Sequence, residues 1–240
     1  MSHPFLVLCF HEIRDEVGEK IVVADGYQDI LPSMLTISKQ TFSEYMKLLE
    51  EAYILKPSEV IQYYRNEFEM PEKAVLLTFD DAFQSVKKNA YPKLKAMNYE
   101  AFMFTVSAWL FEEANEFNLS SSQVMSFSEL RSMKDVFTTA NHTHQLHQRV
   151  DSRGVIQDVD REVLLNDLNE CSKFVDEASV FAYPFGLYDQ DVVDALPMEL
   201  AFTTQVGLND LNTPKLELNR FMAVEDMQLL RDYLSIGEPK

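Results

Sequence analysis

The sequence predicts an α/β fold in which parallel strands alternate with crossover helices to form a barrel. Three observations predict it. Short apolar runs rich in β-branched and aromatic residues recur, an amphipathic stretch follows each of them, and 240 residues is a length at which single α/β barrels are common. No repeat, low-complexity tract or Gly/Ser linker divides the chain, which has only six glycines, so residues 1–240 read as one domain.

The strand candidates are Phe5 to Phe10, Ala74 to Asp80, Ala101 to Ser107, Phe137 to Asn141, Val180 to Phe185 and Leu200 to Gln205. One core-facing helix is marked by Phe42, Tyr45, Met46, Leu49 and Ala52. A longer one is marked by Val163, Leu164, Leu168, Cys171, Phe174, Val175 and Ala178. Thr41 with Glu44 has capping-box spacing, and Ser126 with Glu129 has a looser version of it. Residues 14–37 read as a long irregular insertion.

Hydrophobic residues make up 46% of the chain and aromatics 12%, a globular composition that excludes disorder. The formal net charge of -18 would repel phosphate backbones and anionic membranes, so no nucleic-acid partner is expected, and a neutral or cationic ligand fits better. The plain reading of that charge is a solvated, solubilising surface. No run approaches the length of a membrane span, and no basic region with a long apolar segment opens the chain. As it stands the sequence therefore predicts a cytoplasmic protein, or an extracytoplasmic one whose leader has been removed. Cys9 and Cys171 both fall on apolar faces and read as small core residues rather than a disulfide. Nothing in the sequence sets an oligomeric state.

Chemistry concentrates at strand ends. The run Ala74 to Leu77 closes on Thr78-Phe79-Asp80-Asp81, which places two adjacent carboxylates where α/β barrels keep their active sites. Such a pair repels itself unless a cation takes one Asp as ligand and leaves the other as a proton acceptor. An Asp-Asp helix cap is the bland alternative. Four of the five histidines fall in two places, His11 after the first strand and His142, His144 and His147 after a later one. Imidazole with carboxylate suits zinc and its neighbours, and three protein ligands leave positions for water and substrate. Spacing alone does not choose among the three later histidines. His142 and His144 share a face of an extended strand, whereas His142 and His147 converge only through a turn. The run Val180 to Gly186 ends in an aromatic, Pro and Gly, so its backbone can turn at the barrel mouth and offer amides to an oxyanion.

In order, Val7-Leu8-Cys9-Phe10-His11-Glu12-Ile13, Thr78-Phe79-Asp80-Asp81, Asn141-His142-Thr143 with His147, and Phe181-Ala182-Tyr183-Pro184-Phe185-Gly186 resemble the motifs of the NodB-homology polysaccharide deacetylases, carbohydrate esterase family four. The resemblance runs from residue 5 to about 222 and is nearest to the poly-N-acetylglucosamine de-N-acetylases of biofilm systems. It implies a distorted (β/α) barrel with fewer than eight regular units. It further implies a metal-dependent hydrolase that removes N-acetyl groups from an N-acetylglucosamine-containing poly- or oligosaccharide and releases acetate.

By the same resemblance Asp81, His142 and His147 are the ligands of one divalent ion, zinc, with cobalt, nickel or manganese as alternatives. Asp80 is the catalytic base, His11 the general acid and His144 a neighbour of the cleft. The Tyr183 amide and Phe185 belong to the oxyanion and substrate region, and Arg220 orients an Asp. Trp109, Phe83 and Tyr188 follow strand ends and are candidates for stacking on sugar rings, although such aromatics are more often core. Ala82 departs from the family, which usually has Gly after the Asp pair, and the residues before His142 depart from an acidic residue with Gly. Two other readings stand beside this one: hydrolysis of another amide, such as a cyclic imide or ureide, on the same fold, and a non-catalytic carbohydrate-binding homologue. The intact Asp80, Asp81, His142 and His147 argue against both.

Overall fold

The computed structural model describes residues 3–15, 20–22, 32–223 and 227–235. In chain order its strands are β1 (Leu6–Phe10), β2 (Glu12–Ile13), β3 (Lys20–Val22), β4 (Thr36–Ile37), β5 (Tyr53–Leu55), β6 (Ala74–Asp80), β7 (Ala101–Thr105), β8 (Ser121–Gln123), β9 (Phe137–Asn141), β10 (Arg149–Val150), β11 (Arg153–Gly154), β12 (Glu177–Ala182), β13 (Leu200–Phe202) and β14 (Phe221–Met222). The α-helices are α1 (Lys39–Leu48), α2 (Pro57–Tyr64), α3 (Tyr91–Ala96), α4 (Phe127–Arg131), α5 (Arg161–Ser172), α6 (Gln190–Ala195) and α7 (Gln228–Leu234).

Eight strands form an all-parallel sheet in the order β13-β12-β9-β7-β6-β1-β14, with β5 also paired to β6. The sheet curls into a half-barrel. Among the described residues β13 and β14 do not pair, so the barrel stays open between them. Only β1, β6, β7, β9 and β12 run for five residues or more, which is the distorted barrel the motifs implied.

Alternation along each strand sorts the side chains onto two faces. Outward go Leu6, Leu8 and Phe10 of β1, Val75, Leu77 and Phe79 of β6, and Met103 of β7, packed under Phe42 and Met46 of α1, Leu94 of α3 and Leu230 of α7. Phe79 is stacked on Phe10 with ring centroids 5.0 Å apart. Burial of a ring of this size contributes about 2–3 kcal/mol. Inward go Val7, Leu76, Phe102, Phe104, Ala140, Ala182, Phe202 and Leu218, which fill the concave side. Because Leu76 points inward, Thr78 and Asp80 follow it. Because Val7 points inward, so do Cys9 and His11.

The helices differ in detail from their sequence reading. The N-cap of α1 is Ser38, whose hydroxyl accepts from Thr41 N–H at 2.9 Å, so Thr41 lies inside the first turn rather than capping it. Ser126 with Glu129 is a complete capping box at α4. The longer helix ends at Ser172. Phe174 and Val175 lie beyond it, Ala178 belongs to β12, and Val163 and Phe174 are 46% and 47% exposed, so the apolar face is shorter than its sequence suggests. Strand β12 ends at Ala182 and β13 at Phe202, three residues before the expected ends, because the chain turns there to shape the cleft. The expected insertion at 14–37 holds two paired segments, β3 against β8 and β4 against β2, and its residues 16–19 and 23–31 lie outside the described residues. Cys9 and Cys171 are buried and unbridged. No helix among the described residues is long and apolar enough to cross a membrane.

Candidate active site

The inward-facing groups at the C-terminal ends of β1, β6 and β9 meet in one place. Asp80 is the last residue of β6, and the chain then passes through two consecutive left-handed residues, Asp81 (φ 69) and Ala82 (φ 56). This conformation costs an L-residue roughly 1–2 kcal/mol and costs glycine little. It is a physical reason for the Gly that the family resemblance places after the Asp pair, and Ala82 adopts it regardless. The turn brings the Asp81 carboxylate under the histidines beside Asp80.

Asp80 is 3% exposed and sits against Arg220, whose Nη1 donates to Oδ1 at 2.8 Å. Arg220, itself buried, also donates from Nε to the carbonyl of Thr203 at 2.8 Å and lies over the Phe104 ring. Burial alone would raise the Asp80 pKa, but Arg220, His142 and His11 outweigh it and hold the carboxyl below the usual range. The structure thus pairs Arg220 with Asp80, the kind of charged contact expected of it.

His142 continues the inward parity of β9 one residue past its end. Its Nδ1 faces the carbonyl of Ala182 at 2.8 Å, which calls for a proton on Nδ1 and leaves the Nε2 lone pair toward the acids. From Asp81 Oδ1, His142 Nε2 is 3.7 Å away and His147 Nε2 is 3.6 Å away. Three tetrahedral bonds to zinc would set these separations at about 3.3 Å. All three side chains are buried, and their ligand atoms lie within 4.8 Å of one another. Burial lowers the pKa of both histidines, which keeps the rings neutral as ligation requires.

The turn between His142 and His147 depends on Thr143 (φ 76) and on α5. Asp167 of α5 accepts from the amides of His144 and Gln145 at 2.7 Å each, and Asn141 Nδ2 donates to the carbonyl of Leu168 at 2.8 Å. His144 is directed elsewhere, its Nδ1 2.9 Å from Ser107 Oγ and its ring parallel to Phe174. The structure thus brings His142 and His147 to Asp81 and turns His144 away from it.

His11 Nε2 stands 4.0 Å from Asp80 Oδ2 and 3.9 Å from Asp81 Oδ2. Burial takes its pKa down to about 4, against the pull of Asp80, so a resting protonated acid is not what this ring is at neutral pH. The segment behind it is anchored by the Glu12–Arg14 pair, which binds Ser122 Oγ and the carbonyl of Ser121, and by Ile13 N–H donating to Ser85 Oγ.

A cleft of about 380 Å³ opens over these groups, lined by His11, Asp80, His142, His147, Arg220, Tyr183 and Phe185, with Met34, Arg149 and Met222 also on its wall. The Tyr183 amide, expected to face an oxyanion, instead donates to the carbonyl of Phe202 at 3.0 Å, because the β12–β13 ladder runs one residue past the strand end. The Tyr183 hydroxyl donates to the carbonyl of Leu216 and its ring stacks on Tyr188, so Tyr183 forms a wall and Tyr188 is engaged. Phe185 (φ 57) lies 4.4 Å, centroid to centroid, from His147. Trp109 packs edge-on against His147 and is only 8% exposed, and Phe83 is fully buried; neither presents a face to a sugar. Gly186 (φ 68) is required, since a Cβ there would come 1.9 Å from Thr204 Oγ1.

Sequence reading missed Asp167 and Asn141, for which only their place near the histidine loop was a signal. It also missed the position of Cys9, whose thiol donates to Asp80 Oδ2 at 3.5 Å; the C-x-H spacing on a strand was the available clue.

A parallel half-barrel with carboxylates and histidines at its C-terminal mouth places a group able to hold a metal ion where α/β barrels keep their active sites. The family model for polysaccharide deacetylase matches residues 68–199, and the chain belongs to that family. Its sequence is similar to the poly-beta-1,6-N-acetyl-D-glucosamine N-deacetylase of Staphylococcus aureus, 26% identical over 166 residues that cover 65% of this chain. That match spans 56% of the relative's own length. The Staphylococcus epidermidis protein of the same name is 24% identical over 215 residues, covering 83% of this chain and 72% of that one. The fold is similar to that of IcaB from Ammonifex degensii, with a TM-score of 0.77, 20% identity and 98% of each chain covered. It is also similar to that of the Streptococcus pyogenes deacetylase PplD, solved in complex with acetate, with a TM-score of 0.75, 20% identity and 100% of each chain covered.

Proposed function

We propose that this chain is a hydrolase that removes N-acetyl groups from an N-acetylglucosamine-containing poly- or oligosaccharide and releases acetate, with one divalent ion held by Asp81, His142 and His147. The observation that carries the reading is the buried Asp81-His142-His147 cluster beside an Arg220-paired Asp80 at the floor of an open cleft. Two carboxylates and one guanidinium leave a net negative charge among neutral imidazoles, which suits a cation. Histidine and carboxylate donors favour zinc, with cobalt, nickel or manganese as substitutes.

When bound, the ion supplies a Lewis acid for the acetamide carbonyl and acidifies a water. Asp80 takes the water proton: Arg220 fixes its Oδ1, keeps it ionised and leaves Oδ2 toward the cleft. His11 enters neutral, takes the proton from Asp80 once its ring has closed the 4.0 Å gap to Oδ2 to hydrogen-bond distance, and delivers it to the leaving amine. Phe185, Tyr183 and Met222 shape the wall against which the acetyl group and sugar lie. The polymer named in the staphylococcal relatives, β-1,6-linked poly-N-acetylglucosamine, is the first to try.

Acetate release from N-acetylglucosamine oligomers should be measured after chelation and again with zinc, cobalt or nickel, beside Asp80→Asn and His142→Ala. Release that needs metal and is lost in both variants supports the reading. Stoichiometric metal without release would shift it to another amide, and no bound metal would remove it.

A further inference from the structure

We propose that Cys9, His11 and Asp80 form a second metal site, selective for thiophilic ions such as zinc or cadmium, and that an ion there inhibits the enzyme. The inhibitory half rests on the roles given above to Asp80 and His11; the binding half does not.

The three ligand atoms lie within 4.8 Å of one another, in a group that adjoins Asp81, His142 and His147 but shares no residue with them. Cys9 and His11 share the inward face of the extended β1 segment, two residues apart, and Asp80 meets them from the neighbouring strand β6. Cys9 Sγ is 3.5 Å from Asp80 Oδ2, and His11 Nε2 is 4.0 Å from the same oxygen. Tetrahedral zinc bonds would set these separations at about 3.6 Å and about 3.3 Å, so the first already fits and the site closes as the His11 ring draws toward Asp80 Oδ2.

A second observation points to a ligand. The His11 side chain is 10% exposed, yet its Nδ1 has no hydrogen-bond partner and its Nε2 stands beyond hydrogen-bond distance of both carboxylates. A buried polar ring in that condition is costly unless something else binds it. Packing accounts for a buried thiol but not for this ring.

Arg220 opposes a further cation here, but it engages Asp80 through Oδ1 and leaves Oδ2 for an ion. Its repulsion is felt equally by every divalent ion, so those that gain most from a thiolate bond are favoured over magnesium or calcium. Binding releases the Cys9 thiol proton to solvent and forms the metal–sulfur bond. His11 and Asp80 line the cleft, which gives an ion its way in. Once there, it occupies the oxygen that accepts the water proton and the nitrogen that serves the leaving amine.

The test is a cadmium titration of the chelator-stripped protein, following bound stoichiometry and the ultraviolet thiolate-to-cadmium absorption. Two bound ions are expected, the absorption rising with one of them; Cys9→Ala should bind one without it, and Cys171→Ala should behave as the parent. In acetate release, each variant normalised to its own first-ion activity, excess zinc should inhibit the parent at a concentration at least tenfold lower than Cys9→Ala. One ion without thiolate absorption in the parent, absorption that survives Cys9→Ala, or equal inhibition would overturn the second site alone. No bound ion in any form would overturn the Asp81-His142-His147 centre as well. If Cys9→Ala fails to fold by circular dichroism, Cys9→Ser, which keeps the volume and a donor to Asp80, takes its place.

Discussion

Arg220 donates to Asp80 across 140 residues of sequence at 2.8 Å, with both side chains out of solvent. The pair joins the chain following β13 to the end of β6, and the ionisation of Asp80 depends on it. Breaking a buried pair by removing one partner typically costs about 3–5 kcal/mol. Arg220→Met should therefore lower stability by that order and reduce acetate release at least about 100-fold at neutral pH. Arg220→Lys, which keeps the charge but loses the fork, should recover part of both. Urea unfolding and a pH–rate profile check this. The acidic limb of the profile should move upward in Arg220→Met, because the folded pKa of Asp80 rises when the guanidinium is gone.

The histidines give the metal-free protein an acid sensitivity of definite sign. His11 has a folded pKa of about 4, below its ordinary value of about 6.5, so above that ordinary value both folded and unfolded forms are neutral and stability is complete. As the pH falls from about 6.5 toward about 4, only the unfolded chain takes up the proton, and on the order of 3 kcal/mol is lost through this ring. His142 and His147, also lowered, act in the same direction. Asp80 is lowered too, and since it is an acid its stabilising share is present above about pH 3.9 and fades only as the pH falls further. Unfolding midpoints of chelated protein should drop between about pH 7 and about pH 5. His11→Gln should flatten that drop, whereas bound metal should raise the midpoints without removing it, because the unfolded chain still takes up the protons that ligated imidazoles refuse.

Asp167 touches no ligand atom and should nonetheless govern metal affinity. It receives the amides of His144 and Gln145, so Asp167→Ala frees the loop that aims His147. Losses of supporting hydrogen bonds of this kind weaken metal binding by about 10–100-fold. Competition with a chelator would show it. Asp167→Asn, which retains one acceptor, should fall between.

Gly186→Ala should damage both fold and cleft. The added Cβ would meet Thr204 Oγ1 at 1.9 Å in a left-handed conformation, a clash and a strain together worth roughly 2–4 kcal/mol. Thermal unfolding of Gly186→Ala, alone and with Thr204→Ala, checks this: the double variant should recover only part of the clash, because the Cβ it keeps at position 204 lies 2.8 Å from the added one, and none of the strain.

Which parts of this arrangement could be read in advance follows from how local their causes are. The strand ending in Asp80 and Asp81 was legible because a continuous apolar run stops on two carboxylates, and the composition of four residues tells it. The histidine pair was legible only through the motif resemblance and not from spacing, since its approach hangs on the backbone of Thr143 and on Asp167 arriving from a helix more than twenty residues later. Tyr183 was misplaced for a related reason. Its amide looks available in sequence, and only the register of β12 against β13 shows it committed to Phe202. Helix α5 was drawn too long because Phe174 continues an apolar stripe, although that ring packs against Phe127 and His144 outside the helix. The short strands β5 and β14 have too few residues to show a period.

The inward parity that carries Cys9, His11, Thr78 and Asp80 to the concave face has an evolutionary corollary. Loops between strands can lengthen freely on this scaffold, as residues 14–37 illustrate, while the strands themselves can change length only in even steps. A single codon lost within Leu6–Phe10 would leave the hydrophobic content almost intact and yet rotate His11 into the outer core. Lineages built on this sheet are therefore expected to vary in their rim loops while the count from the first strand residue to His11 stays frozen, and indels there should behave as null alleles.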